Sequence, residues 1–213
     1  MNGYAATETN QHQRIQSYYQ WQSRIYDLTR WSFLFGRRAL LQHLPSDLPG
    51  APNLLEVGCG TGYNLSLLAQ RYPKARLLGF DVSADMLAKA AHNTAPWRDR
   101  ISLLEKPYQF GEVHRNGKMD VILFSYTLTM INPQWQELLF QAHRDLKLGG
   151  YIAVVDFHDS RFPGFKQHMS HHHVRMDSHL VPALGKLFLP EKEIIRSAYG
   201  GIWQYFLWIG RKG

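Results

Sequence analysis

The sequence predicts a doubly wound α/β domain built on a seven-stranded, mostly parallel sheet with an antiparallel last strand. Short apolar runs alternate with helical segments from Asn53 to Val155, three glycines stand at the turn after the first run, and two strand-like runs joined at Gly200–Gly201 close the chain. Such alternation makes βαβ units whose crossover helices cover both faces of a parallel sheet. The short last connection suits an antiparallel pair, because parallel neighbours need a long crossover.

Residues 1–12 are small and polar and are expected to form a disordered tail. From there Ile15, Tyr18, Tyr19, Ile25, Tyr26 and Leu28 recur at near-helical spacing between Arg14, Arg24 and Arg30, and a second short helix is expected over 33–43, before Pro45 and Pro49–Gly50. Residues 13–50 thus read as an N-terminal helical lid, and 51–213 as the α/β domain. The lid pattern equally suits an amphipathic helix packed on the sheet edge. Strands are expected at 53–57, 76–80, 101–104, 121–124 and 151–155, with two more inside 193–209. Helices are expected at 65–71, 84–91 and 135–146. In the last, Trp135, Leu138, Leu139, Ala142 and Leu146 share a face, Asn132 and Pro133 stand where a cap and first turn belong, and Gly149–Gly150 offers a stop.

Composition bounds the function. The 213 residues are 45% hydrophobic, with 6 Trp, 11 Tyr and 11 Phe, enough for a packed core. Cys59 is the one cysteine, which excludes an intramolecular disulfide and any multi-cysteine metal cluster. The N-terminus lacks the apolar centre of a secretory signal, and the longest apolar run, 202–209, is broken by Gln204 and far short of a bilayer span. A cytoplasmic protein is expected, meeting a membrane only from its surface. The net charge of +7 admits nucleic acid, an anionic membrane or an acidic substrate.

The glycine turn reads Glu56-Val57-Gly58-Cys59-Gly60-Thr61-Gly62. Ligands of α/β sheets bind at the carboxyl ends of the strands, where glycines let the backbone come close. The spacing is G-x-G-x-G rather than the G-x-G-x-x-G of dinucleotide sites. Glu56 would sit badly beside a pyrophosphate but suits the ammonium of a methionine moiety. Asp81, ending the second strand, suits two ribose hydroxyls. Together these residues resemble the glycine motif and following acidic motif of the class I S-adenosylmethionine-dependent methyltransferases, which have a Rossmann-like fold. The resemblance implies S-adenosylmethionine as cofactor, lined by Tyr26, Glu56, Gly58, Cys59, Gly60, Asn64, Asp81, Val82, Met86, Glu105 and Ser125. Cys59 has no base or cation adjacent in sequence and reads as a small backbone-lining side chain rather than a nucleophile. Glu105 and Lys106 suit either the adenine edge or a solvated loop.

The acceptor must be read elsewhere. After the fourth strand stands Ser125-Tyr126-Thr127-Leu128, with neither the Asp/Asn-Pro-Pro-Tyr of amino-methylating DNA enzymes nor a Pro-Cys nucleophile. A nucleic-acid partner is therefore not expected, RNA enzymes lacking those motifs aside. The N-terminal segment mixes aromatics with five arginines, Arg14, Arg24, Arg30, Arg37 and Arg38, and suits an anionic membrane surface.

The runs YDLTRWSFLFGRR (26–38), SYTLTMINPQW (125–135), VVDFHDSRFPGF (154–165), HHHVRMDSHL (171–180) and AYGGIWQYFLWIGRK (198–212) resemble the methyltransferase part of betaine-lipid synthases. That resemblance implies trimethylation of the amino group of diacylglyceryl homoserine, a lipid headgroup supplied by a separate aminocarboxypropyl transferase. Aromatic faces favour the cation so formed, and Tyr18, Tyr19, Tyr26 and Tyr126 are the expected cage. Tyr19, Tyr126 and His158 are the candidate catalytic residues. His158 would accept a proton with Asp156 orienting it, unless both merely cap the next segment. Tyr18, Arg30, Arg38 and Arg175 are candidates for binding the substrate, the arginines for its carboxylate. No metal is expected: three consecutive histidines, His171 to His173, point in different directions, and no cysteines complete a zinc site.

Overall fold

The computed structural model describes residues 34–46, 48, 50–112 and 115–213. Helix α1 (Arg37–His43) buries Leu40 and Leu41 against the sheet, and Leu44 follows them inward. The alternation then runs β1 (Asn53–Val57), α2 (Tyr63–Arg71), β2 (Arg76–Asp81), α3 (Ala84–Asn93), a 3-10 turn Ala95–Trp97, β3 (Ile101–Glu105), β4 (Met119–Ser125), α4 (Trp135–Asp145) and β5 (Leu146–Phe157). Helices α5 (Pro163–His171) and α6 (Leu180–Leu187) lead to β6 (Leu189–Ala198) and, through the 3-10 turn Tyr199–Gly201, to β7 (Trp203–Arg211). Phe35–Gly213 forms one compact unit.

The seven strands lie in the order β3-β2-β1-β4-β5-β7-β6. The first five are parallel, and β7 runs antiparallel to both β5 and β6. Central β4 is buried at every position, as a strand covered on both faces must be. On one face Trp135, Leu138 and Leu139 of α4 join Leu180 and Leu184 of α6 over Ile122, Phe124, Phe206 and Trp208. The carboxyl ends of the parallel strands share one edge. Because β7 is antiparallel, with Tyr205 in register with Phe157, its first residues come to that edge as well.

Two expectations need correction, and two helices were not anticipated. Asn132 does not cap α4: its side-chain amide donates to the Thr129 carbonyl at 2.7 Å and the His173 carbonyl at 3.3 Å, and Gln134 precedes the helix. Gly149–Gly150 does not end the helix, since Leu146 is already extended and begins β5, drawn into pairing with Met119. Helices α5 and α6 carry weak sequence signals. Among the residues of α5 only Met169 is buried, and α6 contains Pro182 and Gly185. Pro182 is tolerated because it lies in the first turn, where no intrahelical donor is lost.

Candidate active site

The turn from β1 to α2 is shaped by residues without side chains. Gly58, Gly60 and Gly62 all have positive φ, at 70°, 53° and 75°. A Cβ on Gly58 would stand 2.7 Å from Thr127 Oγ1, and one on Gly62 would press on Ala90 and Thr94 at 3.0–3.2 Å. The turn is tied across to β2, where the Cys59 amide donates to the Phe80 carbonyl at 2.9 Å and the Gly60 amide to Asp81 Oδ2 at 2.8 Å. Cys59 is buried, its sulfur lying where a side chain on Gly79 would have to go.

Two carboxylates flank this turn. Asp81 accepts from Gly60 on one oxygen and from the Ser83 amide, at 3.0 Å, on the other. A carboxylate offers about four acceptor sites, so this one is oriented by backbone and still able to receive two vicinal hydroxyls. Ser83 also caps α3, its hydroxyl accepting from Met86 N, and so places Val82 and Met86 beside the acid. Glu56 is 1% exposed and receives Asn64 Nδ2 on Oε1 at 2.7 Å. The other amide atom, Asn64 Oδ1, is buried with no hydrogen-bond partner among the described residues. A buried carboxylate beside a buried unmatched acceptor favours a cationic donor. The glycine turn, the Asn64 oxygen with Glu56, and Asp81 therefore fit S-adenosylmethionine at its backbone approach, ammonium and ribose.

Beyond Asp81, Glu105 stands in register with it at the exposed end of β3. The following loop is held by a network that sequence reading did not anticipate. Glu112 receives Lys106 at 3.2 Å and Arg115 Nη2 at 2.6 Å, while the buried Asp145 receives Arg115 Nε at 3.1 Å and the Tyr108 hydroxyl at 2.8 Å. Arg115 also lies 4.8 Å over the Phe80 ring, next to the ribose acid. Burial, then the Asp145 charge, raises the Tyr108 hydroxyl far above its ordinary pKa, so it stays a donor. Such charged residues are scattered in sequence, and periodicity does not reveal their pairing.

The acceptor side is built from the ends of β4 and β5. Ser125 is buried, and Tyr126 follows at φ 55°. The Tyr126 ring stands edge-on to Phe157 at 4.9 Å and its hydroxyl donates to the Phe35 carbonyl at 2.9 Å. Thr127 Oγ1 donates to the Val57 carbonyl at 3.1 Å and fills the space Gly58 leaves. Thr127 was missed as a site residue.

Asp156 is not the orienting partner of His158. It is fully buried, and its carboxylate receives the amides of Thr127, Leu128, Thr129 and Phe157 together with the Thr129 hydroxyl at 2.5 Å. His158 lies just past the last residue of β5, and the donors of the loop after β4 claim Asp156. Burial pushes its carboxyl up to about 6 against the pull of those bonds. His158 is held by backbone instead, its N–H donating to Gln204 and its carbonyl receiving Ser178. Its Nδ1 is buried with no hydrogen-bond partner among the described residues, and burial holds the imidazole below its usual pKa despite Asp159 and Glu193.

Of the remaining candidates, Tyr18, Tyr19, Tyr26 and Arg30 lie outside the described residues. Arg38 Nε donates to the Tyr63 hydroxyl at 2.7 Å, at the start of α2. Arg175, between α5 and α6, pairs with Asp177 at 2.7 Å while its amide donates to the Thr129 carbonyl of the loop after β4. The histidine run ends α5, with His168 and His172 rings 4.8 Å apart. Among the described residues no cluster of His, Cys, Asp or Glu could hold a metal ion.

Residues 54–150 match the family described as a methyltransferase domain. The trans-aconitate 2-methyltransferase of Deinococcus radiodurans is 31% identical over 142 residues, 65% of this chain and 49% of that protein. The malonyl-[acyl-carrier protein] O-methyltransferase of Acetivibrio thermocellus is 28% identical over 164 residues, 74% of this chain and 54% of that one. The chain thus spans about half the length of these curated relatives. Among solved structures, a phosphoethanolamine N-methyltransferase 2 of Haemonchus contortus, in complex with phosphomonomethylethanolamine and S-adenosylhomocysteine, superposes with a TM-score of 0.73 at 13% identity, covering 91% of this chain and 60% of that one. Residues 54–150, which carry the glycine turn and both acids, are thus similar to a methyltransferase domain, and the sheet order gives the chain the fold of the solved structure above.

Proposed function

We propose that this chain is an S-adenosylmethionine-dependent N-methyltransferase that trimethylates the amino group of diacylglyceryl homoserine to give a betaine lipid. The observation that carries the cofactor half is the pairing of Asp81 with the Gly60 amide beside the buried Glu56–Asn64 pair. The acceptor half rests on the five specific segments that resemble betaine-lipid synthases, above all 125–135 and 154–165, which the fold brings together at the ends of β4 and β5.

When bound, the cofactor supplies an electrophilic methyl group on a sulfonium. Glu56 and the Asn64 oxygen would hold its ammonium and Asp81 its ribose. The rate then depends on aligning the acceptor nitrogen and keeping water out. Tyr126 and Phe157 give an apolar aromatic wall at the strand ends. His158, held neutral by burial, would take the proton lost from nitrogen before each of the later transfers. Arg38 or Arg175 would meet the substrate carboxylate.

Incubation with labelled S-adenosylmethionine and diacylglyceryl homoserine in mixed micelles should give mono-, di- and trimethylated lipid in turn. Transfer to phosphatidylethanolamine or a small amine, and none to the homoserine lipid, would overturn the acceptor. Tight cofactor binding with salt-sensitive RNA binding and no turnover on any amine would overturn the enzyme reading altogether.

A further inference from the structure

The turn between β6 and β7 lies at the ligand-binding edge of the sheet and carries exposed apolar residues. Tyr199 is 49% exposed and Ile202 42%, on either side of Gly200 and Gly201. The Phe35 ring meets Tyr199 at 5.4 Å and is itself 39% exposed. On the other side the Arg161 guanidinium approaches Gly201 and lies 5.1 Å from the ring centre of Phe162, which is 44% exposed. Ser160 ties the two segments by donating to the Ile202 carbonyl at 2.5 Å. The result is a continuous surface of Phe35, Tyr199, Ile202 and Phe162 with Arg161 among them.

Exposed aromatic and branched apolar residues grouped at one edge mark an interaction surface. Basic side chains stand beside it, with Glu193 further along β6. Arg161 and Arg196 are exposed, and the nearby acid, Asp159, is neutralised by Lys166 at 2.5 Å. Aromatic rings at headgroup depth with arginines reaching phosphate are what an anionic bilayer accepts. Among the described residues no helix is long and apolar enough to cross a membrane, so contact made by them is from the surface.

We infer that the Tyr199–Ile202 turn, with Phe35, Phe162 and Arg161, docks the protein on anionic bilayers and brings the carboxyl edge of the sheet against its lipid acceptor. This rests on the lipid reading above for its purpose, though the docking itself is measurable without turnover. The full chain should co-sediment with vesicles of phosphatidylcholine and phosphatidylglycerol and not with phosphatidylcholine alone. Ile202→Asp should cut that partition about tenfold, an aspartate being expelled from the interface. Arg161→Glu should cut it at least about fivefold and flatten its salt dependence. Both variants should bind S-adenosylhomocysteine as the wild type does, showing that they fold. Equal sedimentation of both variants and wild type, or no sedimentation of the wild type, would overturn the inference. Docking by the wild type, lost in both variants, upholds it even if the homoserine lipid is not methylated.

Discussion

The Gly60 amide donates to Asp81 Oδ2 at 2.8 Å, which joins the β1 turn and the acid of β2 into one rigid element before any ligand arrives. Its partner bond, from Ser83, fixes the second oxygen and links the same acid to the first turn of α3.

Removing this acid should therefore do more than remove a ligand contact. For Asp81→Ala we expect S-adenosylhomocysteine affinity to fall at least about 100-fold, as for the loss of charged hydrogen bonds on both sides of the carboxylate. Asp81→Asn, which keeps one acceptor oxygen, should lose about tenfold. Titration calorimetry distinguishes the two.

Glycine at position 58 is set by contact as well as by φ. Gly58→Ala should destabilise by about 1–3 kcal/mol in urea titration, combining left-handed strain with overpacking against Thr127. Gly164, with no atom within 4 Å of its Cβ position and a helical location, is the control. Gly164→Ala should be neutral or stabilising by up to about 1 kcal/mol.

A neutral His158 predicts a specific pH profile. If it accepts the proton, turnover should rise with pH and level off below the ordinary histidine midpoint, because burial has lowered its pKa. In His158→Gln that limb should vanish and kcat should fall about 100-fold, with S-adenosylhomocysteine affinity unchanged. Wild-type rates in the variant would remove it from the chemistry.

Asp156 predicts a pH dependence of stability rather than of rate. Its folded pKa of about 6 exceeds the ordinary carboxylate value, so the native state binds more protons than the unfolded chain between those values. Stability from this group is thus largest in acid and declines as pH rises from about 4 to about 6. Asp156→Asn should lose about 2–4 kcal/mol, because a side-chain amide faces backbone donors, and its stability should lack that decline. Urea unfolding of both proteins across this range is the check.

Strands were legible where burial is two-sided. The apolar run of β1 coincides with its observed bounds, and β4 and β5 were found but drawn short, because their outer residues include Asp120, Lys147 and two glycines. The antiparallel final hairpin followed from the shortness of the Gly200–Gly201 connection. Helix α5 was not legible, since its exposed histidines and glycine hide any apolar stripe. At the site, Glu56, Asp81 and the glycines were legible because spacing within a single turn fixes their proximity. Thr127 against Gly58, and Arg115 with Asp145, were not, because each pair is brought together by the tertiary fold from positions 69 and 30 residues apart. Asp156 was noticed but given the wrong partner. Sequence adjacency suggested His158, whereas the loop after β4, distant in sequence, supplies the donors that occupy the carboxylate.

That misplaced carboxylate has a temporal consequence. Four amide protons, on Thr127, Leu128, Thr129 and Phe157, share one buried acceptor, so none can reach solvent deuterium by a local breath of its loop. They should be released together, at the pace of whole-domain opening, while neighbouring surface loops exchange freely. The wall facing the acceptor would then keep time with the core, leaving the mouth of the site to adapt on a faster clock.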